Sequence, residues 1–213
     1  MEKTTILLAD DHKIILEGLK TLLAADYQIV GTVEDGRSLV EQAQQLQPDV
    51  IVVDVAMPLL NGIDAVKQIK KSGLGTKVVF LTMHCDAIYA KKAFEAGASG
   101  FVLKHAAPSE LTAAIEEALK GNMYVSPAVA QEVMQLYKAD VGDKSGSSGS
   151  LTLRQREIMQ LLAEGKSAKE IAKILHISTR TVEFHKYNMM EQLGIKNSAE
   201  LVHFAIKHGI VSI

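Results

Sequence analysis

Short apolar runs recur along the first half of the chain, near residues 4–9, 28–33, 50–53, 77–81 and 100–103, and each predicts a strand. Between them, apolar positions repeat at helical spacing near 13–25, 36–46, 62–71, 86–96 and 108–120. Five strands alternating with five helices predict a doubly wound, five-stranded parallel α/β sheet. Val50-Ile51-Val52-Val53 has no polar alternation, the mark of a strand covered on both faces. Gly62 and Gly97-Ala98 mark turns, and Pro108 suits the first turn of a helix. Residues 126–138 predict one further helix.

Residues 143–150, Asp-Lys-Ser-Gly-Ser-Ser-Gly-Ser, have nothing to bury and read as a flexible linker. Beyond it the periodicity is purely helical. Thr152 with Gln155, and Ser167 with Glu170, are capping-box signals. Gly165 ends the first helix of this tail, and Ile171, Ala172, Ile174 and Leu175 give the second an apolar face. Ser178 caps a third, with Val182, Met189 and Leu193 inward and Gly194 as its stop. A fourth runs from about Ser198 to Lys207, its apolar positions Leu201, Val202, Ala205 and Ile206. Four short helices in about 60 residues make only a small core.

The 213 residues leave room for two small domains, and 47% hydrophobic with 23% charged is ordinary for a globular protein. The single cysteine, Cys85, excludes an internal disulfide and suits a reducing, cytoplasmic setting. No apolar run reaches the roughly 18 residues of a membrane span, and Asp10-Asp11 come too early for a signal peptide. The net charge of −2 is unevenly spread. Residues 1–137 carry 12 Lys+Arg against 17 Asp+Glu, whereas 151–213 carry 9 against 6, so a polyanionic partner belongs to the tail.

The chemistry gathers at strand ends. Asp10-Asp11 end the first strand and Asp54 the third, and these strands are neighbours in a doubly wound sheet. Three adjacent carboxylates are unfavourable unless a cation or protons neutralise them, and oxygen-only donors suit Mg²⁺. Thr82 and Lys104 end the fourth and fifth strands. A cation, a hydroxyl and an ammonium around one carboxylate are the parts that stabilise a transferring phosphoryl group, with Asp54 as nucleophile. Taken singly, Asp54 would be a solvated strand end, Thr82 a helix cap and Lys104 a surface lysine; five such residues at strand ends argue for one site. His84 and His12 read as loop residues, and Cys85 as inert.

Asp10-Asp11, Asp54 with Pro58, Gly62, Thr82, and Lys104 with Pro108 resemble the receiver of two-component response regulators, a flavodoxin-like fold, over about residues 4–120. The resemblance implies Mg²⁺ held by Asp11, Asp54 and the Ala56 backbone carbonyl, with Asp10 acting through water. It also implies phosphorylation of Asp54 by a cognate histidine kinase and an aromatic switch at Phe101. A haloacid-dehalogenase-type phosphatase shares the nucleophilic Asp and Mg²⁺ but needs a second Asp where this chain has Ala56. A receiver driven by a protein partner without phosphate is the other alternative.

In the tail, Leu175-His176-Ile177-Ser178 joins two amphipathic helices as in a helix-turn-helix. The string TVEFH, with Glu157, Leu162, Gly165, Ile171, Ala172, Thr181-Val182, His185 and Leu193-Gly194, resembles the LuxR-type DNA-binding domain. The whole chain thus resembles the NarL/FixJ class. The expected domains are 1–122 (receiver), 123–150 (helix and linker) and 151–213 (helix-turn-helix). Glu183, Phe184 and Tyr187 are assigned to base edges in the major groove and Thr179, Arg180 and Lys186 to phosphates, and Thr181 is also expected among the DNA-binding residues. Binding to two half-sites implies a homodimer when phosphorylated, and the resemblance places the dimer contact on the fourth helix. A small protein-binding bundle with a solvated charged face is the competing reading of the tail.

Overall fold

The computed structural model describes residues 3–140 and 151–211, and the linker expected at 143–150 lies outside them. The chain divides into two compact units, residues 1–144 and 145–213.

In the first unit, strands β1 (Thr5–Ala9), β2 (Gln28–Val33), β3 (Val50–Val53), β4 (Lys77–Thr82) and β5 (Gly100–Leu103) alternate with helices α1 (Lys13–Leu23), α2 (Gly36–Leu46), α3 (Gly62–Lys71), α4 (Ala87–Glu95) and α5 (Ala107–Lys120). Then follow β6 (Tyr124–Val125) and α6 (Pro127–Asp140). The sheet is parallel throughout, in the order β2-β1-β3-β4-β5-β6. It therefore has six strands, not five. The sixth has two residues, between Gly121-Asn122 and Pro127, too few for any periodic signal. Its pairing with β5 at the sheet edge starts α6 from a fixed point.

Strand pleating sends alternate side chains to opposite faces. Ile6, Leu8, Val50 and Val52 pack with Leu16, Leu19 and Leu23 of α1 and Leu111, Ala114 and Ile115 of α5. Leu7, Ile51, Val53, Val78 and Phe80 pack with α2, α3 and α4, and Val129 and Val133 of α6 join that second core. All four residues of β3 are buried, as a central strand with helices on both sides requires.

The second unit contains α7 (Leu153–Ala163), α8 (Ala168–Ile174), α9 (Thr179–Leu193) and α10 (Ser198–Lys207). Both capping boxes form, at Thr152 with Gln155 and at Ser167 with Glu170. Ser178 caps α9, and Gly194 ends it in the left-handed conformation at φ 66°. Ile158, Leu161, Ile171, Val182, Met189, Leu201 and Ala205 make the core. Leu193 and Ile174, expected inside, are only half-buried, because each falls at the last turn of its helix.

Candidate phosphoryl-acceptor site and nucleic-acid-facing helix

β1 and β3 pair Ala9 with Val53, and the next residue on each strand is still held by the backbone. The Asp10 N–H donates to the Val33 carbonyl (3.1 Å) and the Asp54 N–H to the Ala9 carbonyl (2.9 Å). Sheet geometry, not a loop, thus fixes both carboxylates. Lys104 follows β5 in a single 3₁₀ turn, Lys104–Ala106. Its Nζ lies 2.6 Å from Asp54 Oδ2 and 2.6 Å from Asp10 Oδ2.

All three side chains are buried, with no more than 7% exposed, so these charges interact with little solvent screening. Burial raises the Asp54 carboxyl above its ordinary pKa; Lys104 opposes that shift and the Asp10 charge adds to it. Burial also works against the Lys104 ammonium, but Asp54 and Asp10 outweigh it and raise its pKa. One cation between two carboxylates leaves a negative charge to be met from outside.

Asp11 sits at the exposed mouth. His12 Nδ1 lies 2.8 Å from Asp11 Oδ1 and 3.2 Å from Asp10 Oδ1, and the His12 N–H donates to Asp10 Oδ1 (2.9 Å). Ligand atoms of Asp10, Asp11, His12 and Asp54 all lie within 4.8 Å of one another. Three carboxylates in that space fit a hard divalent cation. The DDH string carries no hint that the ring folds back onto both acids.

The loop after Asp54 is tight. The Ala56 N–H approaches Asp54 Oδ1 at 3.4 Å, and Gly62 donates to the Val55 carbonyl at 2.9 Å. A Cβ on Gly62 would stand 1.9 Å from the Asp54 carbonyl oxygen, so only glycine admits this approach. Leu59 takes a positive φ of 64° in the same loop, local strain beside a candidate site.

Thr82 is fully buried at the end of β4, and its hydroxyl accepts the His84 N–H at 3.2 Å. Among the described residues no hydrogen bond joins Thr82 to Asp54. Phe101 is fully buried in β5, paired with Phe80 and Val125. The structure thus gathers Asp10, Asp11, Asp54, Ala56 and Lys104, sets Thr82 one strand away, and leaves Phe101 in the core.

In the second unit, Val182 and Met189 anchor α9, and the opposite side is open. Thr179, Arg180, Glu183, Phe184 and Tyr187 are exposed, Phe184 by 61% and Tyr187 by 67%. Arg180, Glu183, Phe184 and Tyr187 share one outward face by helical spacing. Two large aromatics left in water on one helix mark a contact surface. Thr181 is half-buried, 2.8 Å from Ser178 Oγ, and so belongs to the helix cap. Lys186 is half-buried on the flank, lining a hollow of about 250 Å³ with Lys166, Ser167 and Glu183. The α8–α9 turn passes through His176 at φ 53°, and Arg154 braces it by donating to the Leu175 carbonyl (3.0 Å) and Glu157 (2.9 Å).

Residues 6–116 match the response regulator receiver domain, and residues 149–205 match the bacterial regulatory proteins of the luxR family. The transcriptional regulatory protein MctR of Rhizobium johnstonii is 35% identical, covering 99% of this chain and 96% of MctR. The RcsB response regulator of Salmonella typhimurium superposes with a TM-score of 0.64 at 28% identity, over 98% of this chain and 99% of RcsB. A structure of two RcsB dimers bound to two parallel DNAs superposes with a TM-score of 0.59 at 27% identity, over 95% and 98%.

Proposed function

The chain belongs to the DNA-binding response regulators, with a receiver followed by a LuxR-type domain, and from that premise we propose that phosphorylation of Asp54 controls its grip on DNA. It is a transcriptional regulator and not a turnover enzyme. One observation carries the reading: Lys104 Nζ stands 2.6 Å from both Asp54 and Asp10 at the carboxyl end of the sheet.

In the reaction, an Asp54 carboxylate oxygen attacks phosphorus on a phosphohistidine of a partner kinase, or on a small acyl phosphate. The new O–P bond makes an acyl phosphate; the bond to the donor breaks, and the leaving group departs with that electron pair. Lys104 gives up its ion pair with Asp54 to neutralise a phosphoryl oxygen, and the Thr82 hydroxyl donates to another. Asp10 keeps the ammonium in place. Asp11, Asp54 and the Ala56 carbonyl would hold Mg²⁺, with Asp10 acting through water. When bound there, such an ion would supply positive charge to offset the negative charge of the phosphoryl group. The buried position of Asp54 limits access of water to the product.

In the second domain α9 enters the major groove. Glu183 accepts from a cytosine amino group, Phe184 packs on a thymine methyl, and Tyr187 contacts a base edge. Thr179, Arg180 and Lys186 meet phosphates. Half-buried Val202 and Ile206 on α10 suit contact with a second copy, so that a phosphorylated homodimer spans two half-sites. The setting is cytoplasmic, where kinase and chromosome are both within reach.

Labelling with radioactive acetyl phosphate and Mg²⁺ tests the acceptor. The wild type is expected to take up one phosphoryl group per chain and Asp54→Ala none. Labelling that survives this substitution assigns the acceptor to another residue.

A further inference from the structure

Phe101 has no hydrogen-bonding side-chain atom and is fully buried, so it cannot relay a change at Asp54 through a hydroxyl. Two other connections leave the site, one from Thr82 and one from Lys104, and both arrive at α6. The first runs through the β4–α4 loop. Thr82 Oγ1 accepts the His84 N–H, and the His84 ring stacks on Tyr89 of α4, with centroids 4.5 Å apart and planes within 22°. Tyr89 and Phe94 lie against the core that contains Ala90 and Ala93 of α4 and Val129 and Val133 of α6. The second connection is polar. The Leu103 N–H, one residue before Lys104, donates to Ser126 Oγ at 3.1 Å. The Ser126 N–H donates to the Phe101 carbonyl at 2.9 Å, and its hydroxyl bonds Glu110 of α5. Ser126 is fully buried and immediately precedes α6.

We propose that α6 is the element that reads the acceptor site, with Tyr89 and Ser126 as the positioning residues that couple it to Thr82 and Lys104. This rests on the phosphoryl-acceptor reading of Asp54. When Thr82 and Lys104 turn to a phosphoryl group, the His84–Tyr89 stack displaces α4 and the Leu103–Ser126 bond displaces the start of α6. Packed elements of this kind hold discrete arrangements, so small shifts at both ends select a new position of the helix. After α6 the chain runs on to the DNA-binding domain.

Amide hydrogen exchange across α6 tests this on the full chain, with Mg²⁺ alone and with Mg²⁺ plus beryllofluoride as the phosphoryl mimic. The wild type is expected to change its exchange in α4 and α6. Tyr89→Phe, which keeps the stack, is expected to behave likewise. Tyr89→Ala and Ser126→Ala are each expected to bind beryllofluoride while losing part of the α6 response, and the double variant to lose all of it. Three results overturn the proposal: an undiminished α6 response in the double variant, a Tyr89→Phe as defective as Tyr89→Ala, or a wild type that binds the mimic with α6 unchanged. A wild type that does not bind beryllofluoride instead refutes the acceptor reading, and this proposal with it.

Discussion

Lys104 holds the candidate acceptor site together through its contacts with Asp10 and Asp54. Among the described residues it is the one lysine or arginine whose ammonium or guanidinium contacts both Asp10 and Asp54, and all three side chains are buried. Removing one partner of a buried ion pair leaves uncompensated charge, at roughly 3–5 kcal/mol. Lys104→Met is therefore expected to lower unfolding stability by roughly 3 kcal/mol in metal-free buffer at neutral pH, with part of the loss restored by Mg²⁺. Urea denaturation with and without the ion measures both, and stability equal to wild type would show that Lys104 does not balance the acids. The residues of this cluster were legible in the sequence because each ends an apolar strand. The His12 contacts were not, since a ring turning back onto Asp10 and Asp11 leaves no periodic trace. Nor was the half-buried setting of Lys186, which depends on how α9 lies against Lys166 and Ser167.

β1 and β3, which deliver Asp10 and Asp54, are also tied at their other ends. The Thr5 N–H and hydroxyl donate to Asp49 Oδ2 at 2.8 and 2.7 Å, and the Asp49 N–H donates back to Thr5 Oγ1 at 2.9 Å. The bonds from Thr5 hold the Asp49 carboxyl below its ordinary pKa. A carboxyl whose folded-state pKa is depressed stabilises the fold above its unfolded pKa, about 3.9, and that contribution is lost as pH falls through the folded value. Asp49→Asn is expected to lower the urea midpoint at pH 7, with the gap to wild type closing below about pH 4; a gap independent of pH would mean that charge plays no part. Strands and helices of ordinary length were readable from periodicity, down to the two capping boxes and the Gly194 stop. β6 was not, because Tyr124-Val125 is a strand only through its pairing with Gly100 and Phe101. The packing of α6 on α4 was equally hidden, as it depends on where β6 starts that helix.

The two domains carry opposite net charge, an acidic receiver proposed to accept a phosphoryl group and a basic LuxR-type domain that binds DNA. The two kinds of residue on α9 should separate in binding experiments. Lys186→Ala is expected to weaken binding to all sequences alike and to reduce the salt slope by about one, whereas Glu183→Ala relaxes preference at one base pair and leaves the slope nearly unchanged. Fluorescence anisotropy over a salt series distinguishes them, and a sequence-specific loss for Lys186→Ala would make it a base reader. The proposed phosphoryl group on Asp54 joins the domains by changing how the whole chain binds DNA. The direct measurement is the affinity of the full chain for its selected operator, with and without beryllofluoride and Mg²⁺, for wild type and Asp54→Ala. Beryllofluoride is expected to tighten wild-type binding and to leave Asp54→Ala unchanged. Equal tightening in both proteins, or none in a wild type that binds the mimic, would rule out control of DNA binding through Asp54.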